Sequence, residues 1–288
     1  MSQPLIALAA VTLAAIVLAG SLCLAEAAPP APAAKPADSA KVLFIADEQK
    51  QLQPLAEFLR IEGKYDVQLV EPKAMPADLA PFFAVFEYIH GPMDAKVEKA
   101  IVEYATGGGR LVLLHHGLAS ARVKNPDLLR IAGIRIPPRN DPTTPWRVIE
   151  PVTLTVVCLA PHHYITTHGV TYDRMVEYAS ETTPGPVKRP ALDLPDTEAF
   201  MNMQSTDGSE KTVLLGFQCP DAKTRKVAAQ DTAGWLKPAG KGWLFRFQPG
   251  HAITDFQNRN YCQILLNCLT WRPDMPASTE EPRVKSSS

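Results

Sequence analysis

The chain is short of charge, aromatics and cysteine: of 288 residues, 20% are charged, 7% are aromatic and five are Cys. Lys and Arg number 29 against 30 Asp and Glu, so the formal net charge is −1 and a polybasic nucleic-acid footprint is excluded. No CxxC spacing occurs and no internal repeat is visible. Phosphate-cradle and dinucleotide signatures are absent too. Gly107-Gly108-Gly109 precedes an apolar run, whereas the glycines of a Rossmann turn or P-loop follow a strand and open a helix. Apolar residues make up 46% of the chain, which excludes wholesale disorder.

Two residue types are conspicuous by presence. Proline, at 27, runs at about twice its average usage of roughly 5%. The seven histidines fall together in loops rather than being scattered.

Residues 1–28 read as an export signal or an N-terminal anchor. Leu5 to Leu24 carries no charge, small residues follow at Ala25, Ala27 and Ala28, and the run is nearly long enough to span a bilayer. Residues 29–40 form an Ala/Pro-rich linker, and 273–288 a polar tail expected to be disordered. The mature chain is therefore expected to be periplasmic or secreted, or else tethered to the membrane through its N-terminus. In an oxidising compartment Cys158, Cys219, Cys262 and Cys268 could pair in three ways, or serve as small buried hydrophobes.

Residues 41–272 read as one domain, long enough to bury a large core. Lys41–Ala46, Tyr65–Glu71, Phe82–Tyr88 and Arg110–Leu114 are apolar runs that suit buried parallel strands. Gln49 to Glu62 shows Leu52, Leu55, Ala56 and Leu59 at helical spacing. Asp94 opens a second helix with Val97, Ile101, Tyr104 and Ala105 on its inner face. This alternation predicts an open, mostly parallel α/β sheet with helices on both faces. Ile136 to Pro195 holds ten prolines and is expected to be an irregular insertion around a Val152–Cys158 strand. Thr212–Phe217 and Gly242–Phe247 resume the sheet, and Asn260 to Trp271 closes it with a buried helix.

Every histidine follows a predicted strand: His90 after Phe82–Tyr88, His115 and His116 after Arg110–Leu114, His251 after Gly242–Phe247, and His162, His163 and His168 after Val152–Cys158. Ligands of open α/β sheets bind beyond the carboxyl ends of the strands. Imidazole is the side chain able to trade protons or hold a metal near neutral pH. Asp47 and Glu48 are expected on the same rim, where they could accept ligand hydroxyls, as well as favouring a helix N-terminus. Arg122 and Lys124 read as solvated, and Arg139, Asn140 and Asp141 as a pocket lid.

Several stretches resemble the trehalose-utilisation (ThuA-like) family. Gly107-Gly108-Gly109-Arg110-Leu111-Val112-Leu113-Leu114-His115-His116-Gly117 is similar to its Gly-rich turn, strand and His-containing elbow. Gly240 to His251 is similar to its closing strand and loop, and Phe256 to Trp271 to its terminal helix. His163 to Gly169 is similar to its H-P-I-T-x-G loop, with Tyr164 in place of the proline and one residue added. Glu177-Tyr178 matches the acidic-aromatic pair that follows it. The resemblance spans Lys41–Trp271 and implies a flavodoxin-like, class I glutamine-amidotransferase-like α/β fold and a role in sugar metabolism. In amidotransferases of that fold the elbow presents a nucleophilic Cys, whereas the tip here is His115-His116, so a glutaminase is not expected.

Three readings follow. In the first, His115 or His116 with His251 performs acid/base chemistry on a disaccharide or keto-sugar, and Glu177 relays a proton. His90, His163, His168 and Asp47 then bind substrate, and the reaction is a hydrolase, lyase or isomerase step. In the second, a divalent metal such as zinc is held by His116, His163 and His251. Within a strand His115 and His116 would face opposite ways, so at most one of them would ligate. In the third, the domain is a silent sugar-binding or scaffold protein, with Trp146, Tyr164, Tyr172, Trp235 and Trp243 as stacking faces. The partner is a small carbohydrate with no nucleic acid, and self-association into a homo-oligomer is compatible with all three.

Overall fold

The computed structural model describes residues 39–207 and 211–286. The expected export segment and Cys23 lie outside the described residues. Among these residues no helix is long and apolar enough to cross a membrane.

Ten strands form one sheet: β1 (Lys41–Ala46), β2 (Asp66–Val70), β3 (Ala84–Tyr88), β4 (Arg110–Leu114), β5 (Arg147–Cys158), β6 (Arg174–Tyr178), β7 (Val187–Met201), β8 (Thr212–Asp221), β9 (Lys226–Ala239) and β10 (Gly242–Phe247). Their spatial order is β2-β1-β3-β4-β10-β9-β8-β5-β7-β6. The first five in that order run parallel. Every pairing from β10 onward is antiparallel. The expectation of a mostly parallel, flavodoxin-like sheet therefore holds for one half only, and the sheet is larger and mixed.

The parallel half forms as its sequence dictates. β3, β4 and β10 are buried along their whole length, so both faces of each strand are apolar apart from the buried charges Glu87, Arg110 and Arg246. Successive β1 residues feed two cores. Val42, Phe44 and Ala46 pack with α1 (Gln49–Ile61) and the later helix Arg259–Thr270 on one face. Leu43 and Ile45 pack with α2 (Ala95–Gly107) and α3 (Pro126–Ala132) on the other. Arg110 opens β4 as a buried cation, its guanidinium donating to the carbonyls of Cys268 (2.6 Å) and Trp271 (3.1 Å). It thus satisfies the C-terminal end of the Arg259–Thr270 helix, where a positive charge is favoured.

The proline-rich stretch is not irregular. It contributes β5, β6 and most of β7, and two of its prolines sit where the ladder is already broken. Pro151 and Pro195 lie at register shifts between β5 and β7. A β-bulge leaves residues unpaired, so a missing N–H costs little there. The C-terminal stretch, expected to be disordered, also packs: Ser278 donates to His162 O at 2.7 Å, and Arg283–Val284 pairs with Thr171–Tyr172. Cys158, Cys219, Cys262 and Cys268 are all free and buried, so they serve as small hydrophobes and not as disulfides.

Strand direction decides which loops meet. The carboxyl ends of β1, β3, β4 and β10 share one rim. β7 is antiparallel to β5, which is antiparallel to β8, so β7 also ends on that rim. β5 runs the other way and delivers its following loop to the opposite end of the sheet.

Candidate functional site

β4 ends at Leu114, and the chain turns at once into a 3₁₀ turn, His115–Leu118. His115 takes a positive φ of 41°, a conformation that costs a non-glycine residue about 1–3 kcal/mol. Two bonds hold it there: Arg246 on β10 donates to His115 O at 3.1 Å, and His115 Nδ1 meets Gln248 O at 2.6 Å. Gly117 follows because there is no room for a side chain: a Cβ would lie 2.2 Å from Glu87 Oε2. Glu87, fully buried on β3, accepts from Ile89 N at 3.1 Å, and burial pushes its carboxyl up to about 7 against the opposing pull of Arg122. Arg122 does not lie in solvent, as its sequence context suggests. It is fully buried, donating to the carbonyls of Ile89 (3.2 Å) and Gly91, and so pins the loop that carries His90.

This turn changes the reading of the His-His pair. The two rings do not alternate across a strand, because the strand has ended. They meet edge to face at 4.2 Å between centroids. His90 stacks on His116 at 4.1 Å, and His251 lies 5.3 Å from His115 and 6.0 Å from His116. Four of the seven histidines therefore share one rim.

The fifth member, Glu198, stands in no sequence motif. It arrives on β7, with Oε2 at 3.1 Å from His115 Nε2 and 3.4 Å from His251 Nδ1. Thr197 beside it donates to Asp255 Oδ2 at 2.6 Å, and the same carboxylate accepts from Gly250 N and Ala252 N. Asp255 thus ties the His251 loop to β7. Tyr261 fixes the loop from the other side through Pro249 O at 2.7 Å. Phe200, two residues beyond Glu198, stacks on His115 at 4.5 Å. Exposed Glu150, at the start of β5, hydrogen-bonds Glu198, and that contact raises its carboxyl pKa.

His115, His116 and Glu198 are buried, and the His251 side chain is 38% exposed. Burial lowers the pKa of both His115 and His116, so both rings are neutral near pH 7. One ligand atom from each of His115, His116, Glu198 and His251 lies within 4.8 Å of the others, which is the arrangement able to hold a metal ion.

At the mouth, Asp47 accepts from His90 N and Gly91 N, each at 2.8 Å, and Glu48 Oε1 lies 3.2 Å from His90 Nδ1. Asp47 therefore orders the His90 loop, and the exposed His90–Glu48 pair borders the entrance.

The remaining expected residues lie elsewhere. His163 caps Ile165 N at 3.2 Å and its ring is 5.8 Å from Trp271; His168 stacks on Tyr164 at 4.6 Å. Trp271 sits beside Arg110, at the start of β4, whereas His115 follows its end. The two groups are separated by a five-residue strand, roughly 16 Å. His163 therefore cannot share an ion with His116 and His251. Glu177 is exposed on edge strand β6, paired with Lys188. Lys188 is ten residues along β7 from Glu198, roughly 30 Å away. Trp146, Tyr172, Trp235 and Trp243 are buried and offer no stacking face. Two cavities, of about 650 and 420 Å³, also lie away from the cluster, the first beside Phe82, Tyr104 and Arg110 and the second beside His162, His163 and Trp271.

No family model and no curated protein matches the chain. Among solved structures, a protein from Bacteroides uniformis described as ThuA-like aligns with a TM-score of 0.56 and 13% identity, over 82% of this chain and 93% of that one. A β-galactosidase from Rahnella sp. R3 aligns at 0.45 and 11% over 80% of this chain, which spans only 32% of that enzyme. A Thermoplasma acidophilum protein described as part of a GMP synthase aligns at 0.41 and 10%, over 78% and 94%. The first likeness shows a shared α/β fold.

Proposed function

We propose that the chain is an enzyme acting on a carbohydrate, with His115, His116, Glu198 and His251 as its reaction centre. The observation that carries this is the convergence of four electron-pair donors within 4.8 Å beyond the carboxyl ends of the strands. The carbohydrate assignment draws support from the ThuA-like fold neighbour and from the polar mouth formed by Asp47, Glu48 and His90. Thiol chemistry is disfavoured. The elbow tip carries His115, and the buried thiols are pushed up, to about 11 for Cys219 and about 12 for Cys262, far from reactive thiolates.

Neutral, enclosed imidazoles are poor proton carriers. In this reading His115 and His116 present lone pairs, and partly exposed His251 meets the substrate. The expected result is turnover of a member of a panel of disaccharides and their 3-keto derivatives, lowered at least about 10²-fold by His251→Ala and by His116→Ala. Turnover that survives both changes would remove the reaction centre from this cluster. A panel that shifts the melting temperature without being turned over would leave a sugar-binding protein instead.

A further inference from the structure

The geometry points to a site for one first-row divalent cation of the zinc class, ligated by His115 Nε2, His116 Nε2, Glu198 Oε2 and His251 Nδ1. This supplies the electrophile of the centre proposed above and in that sense rests on that reading, although the binding can be measured without any turnover.

The argument starts at Gln248. Its carbonyl can only accept, so the 2.6 Å contact places the hydrogen on His115 Nδ1 and leaves Nε2 with its lone pair facing inward. Glu198 Oε2, itself an acceptor, lies 3.1 Å from that lone pair and 3.4 Å from His251 Nδ1. His116 Nε2 is buried with no hydrogen-bond partner among the described residues. One carboxylate oxygen thus faces two imidazole nitrogens while a third nitrogen waits unpartnered. A single proton can serve only one of these contacts, whereas a cation at their centre serves all four.

The dimensions agree. A tetrahedral ion bound at about 2.0–2.1 Å holds its ligand atoms roughly 3.3 Å apart. The two shortest separations here, 3.1 and 3.4 Å, match that edge. With every donor within 4.8 Å, the space suits an ion and is too small for a sugar ring. The surrounding groups also behave as supports for ligands. A ligating imidazole ordinarily donates its other N–H to a carbonyl or carboxylate, and His115 does so to Gln248. Three nitrogens and one oxygen suit zinc and its first-row neighbours, whereas calcium and magnesium require oxygen shells. Four protein donors fill a tetrahedral shell, so a substrate oxygen or water would enter as a fifth ligand on the side of partly exposed His251.

The test uses the full chain, stripped with chelator and titrated with Zn²⁺ alone by calorimetry, with elemental analysis after dialysis. One zinc per chain and a raised melting temperature are expected. Glu198→Gln and His251→Ala should each weaken binding at least about 10-fold, and His163→Ala, on the opposite rim, should leave it unchanged. Circular dichroism of each variant separates lost binding from lost folding. Absence of stoichiometric zinc, or equal uptake by correctly folded Glu198→Gln and His251→Ala proteins, would overturn the site. Zinc binding without turnover of any sugar would defeat the functional reading and leave this site standing. Turnover by stripped protein that takes up no zinc would do the reverse.

Discussion

Acidifying the chelated protein from about pH 6.5 to about pH 5 should lower its unfolding free energy, with a slope no steeper than about 2.7 kcal/mol per pH unit. The sign follows from which state binds protons. His115 and His116 are held below the ordinary imidazole value of 6.5 by burial, and His163 is held at about 4 for the same reason. As the pH falls through 6.5 the unfolded chain protonates all three while the folded chain does not, so stability is lost on the acid side. Glu87 works in the opposite direction. Its carboxyl is raised to about 7, so between about pH 7 and its ordinary 4.5 the folded state carries a proton that the unfolded state lacks. Three protons favour unfolding and Glu87 opposes it, joined toward the acid end by Glu150 and Asp255, whose carboxyls are also raised, so the net is at most two. Urea midpoints measured across this range check the slope. Glu87→Gln removes the opposing group and should steepen the fall. A midpoint that rises on acidification would show that the His115–His116 pair is charged in the folded protein, contrary to its enclosure.

The second large effect is expected at Glu198. Replacing it with Gln keeps the shape of the side chain and its place beside Thr197 but removes the negative charge that faces His115 and His251. Turnover should fall at least about 10²-fold, mostly in kcat, because the carboxylate lies in the centre and not at its mouth. His163→Ala and Glu177→Gln serve as comparisons. One lies at the opposite rim and the other on an edge strand, and each should leave kcat and KM within about two-fold. If Glu177→Gln is the more damaging change, the reacting carboxylate has been misplaced.

Glu198 also shows where the sequence stops being informative. The bounds of β1, β4 and β10 are readable to the residue because a strand buried on both faces is simply an apolar run between polar ones. α1 is readable because Leu52, Leu55, Ala56 and Leu59 recur at helical spacing. β7 is not readable. Pro190, Pro195 and the charged residues around them look like loop, and only the ladder with β5, broken by bulges, makes them a strand. Strand direction is equally hidden. An apolar run has the same composition whichever way it points, so composition alone puts the His162–His168 loop on one rim with the others. The antiparallel half of the sheet sends it to the far end and brings Glu198 in from a segment with no motif of its own.

The His-His pair illustrates a third limit. Read as a continuation of β4, the two rings must diverge. The 3₁₀ turn and the positive φ of His115 bring them together, and that conformation depends on Arg246 and Gln248, more than 130 residues further along the chain. The nearest sequence cue is Gly117, whose missing Cβ leaves room for Glu87.

The most direct test of the central claim is anomalous diffraction at the zinc edge from crystals of the full chain grown with Zn²⁺. The account predicts a single anomalous peak about 2.0–2.2 Å from His115 Nε2, Glu198 Oε2 and His251 Nδ1, with His116 Nε2 as the fourth donor. A peak at the His162–His163 rim, or no peak with Glu198 protonated and hydrogen-bonded to His115, would contradict it.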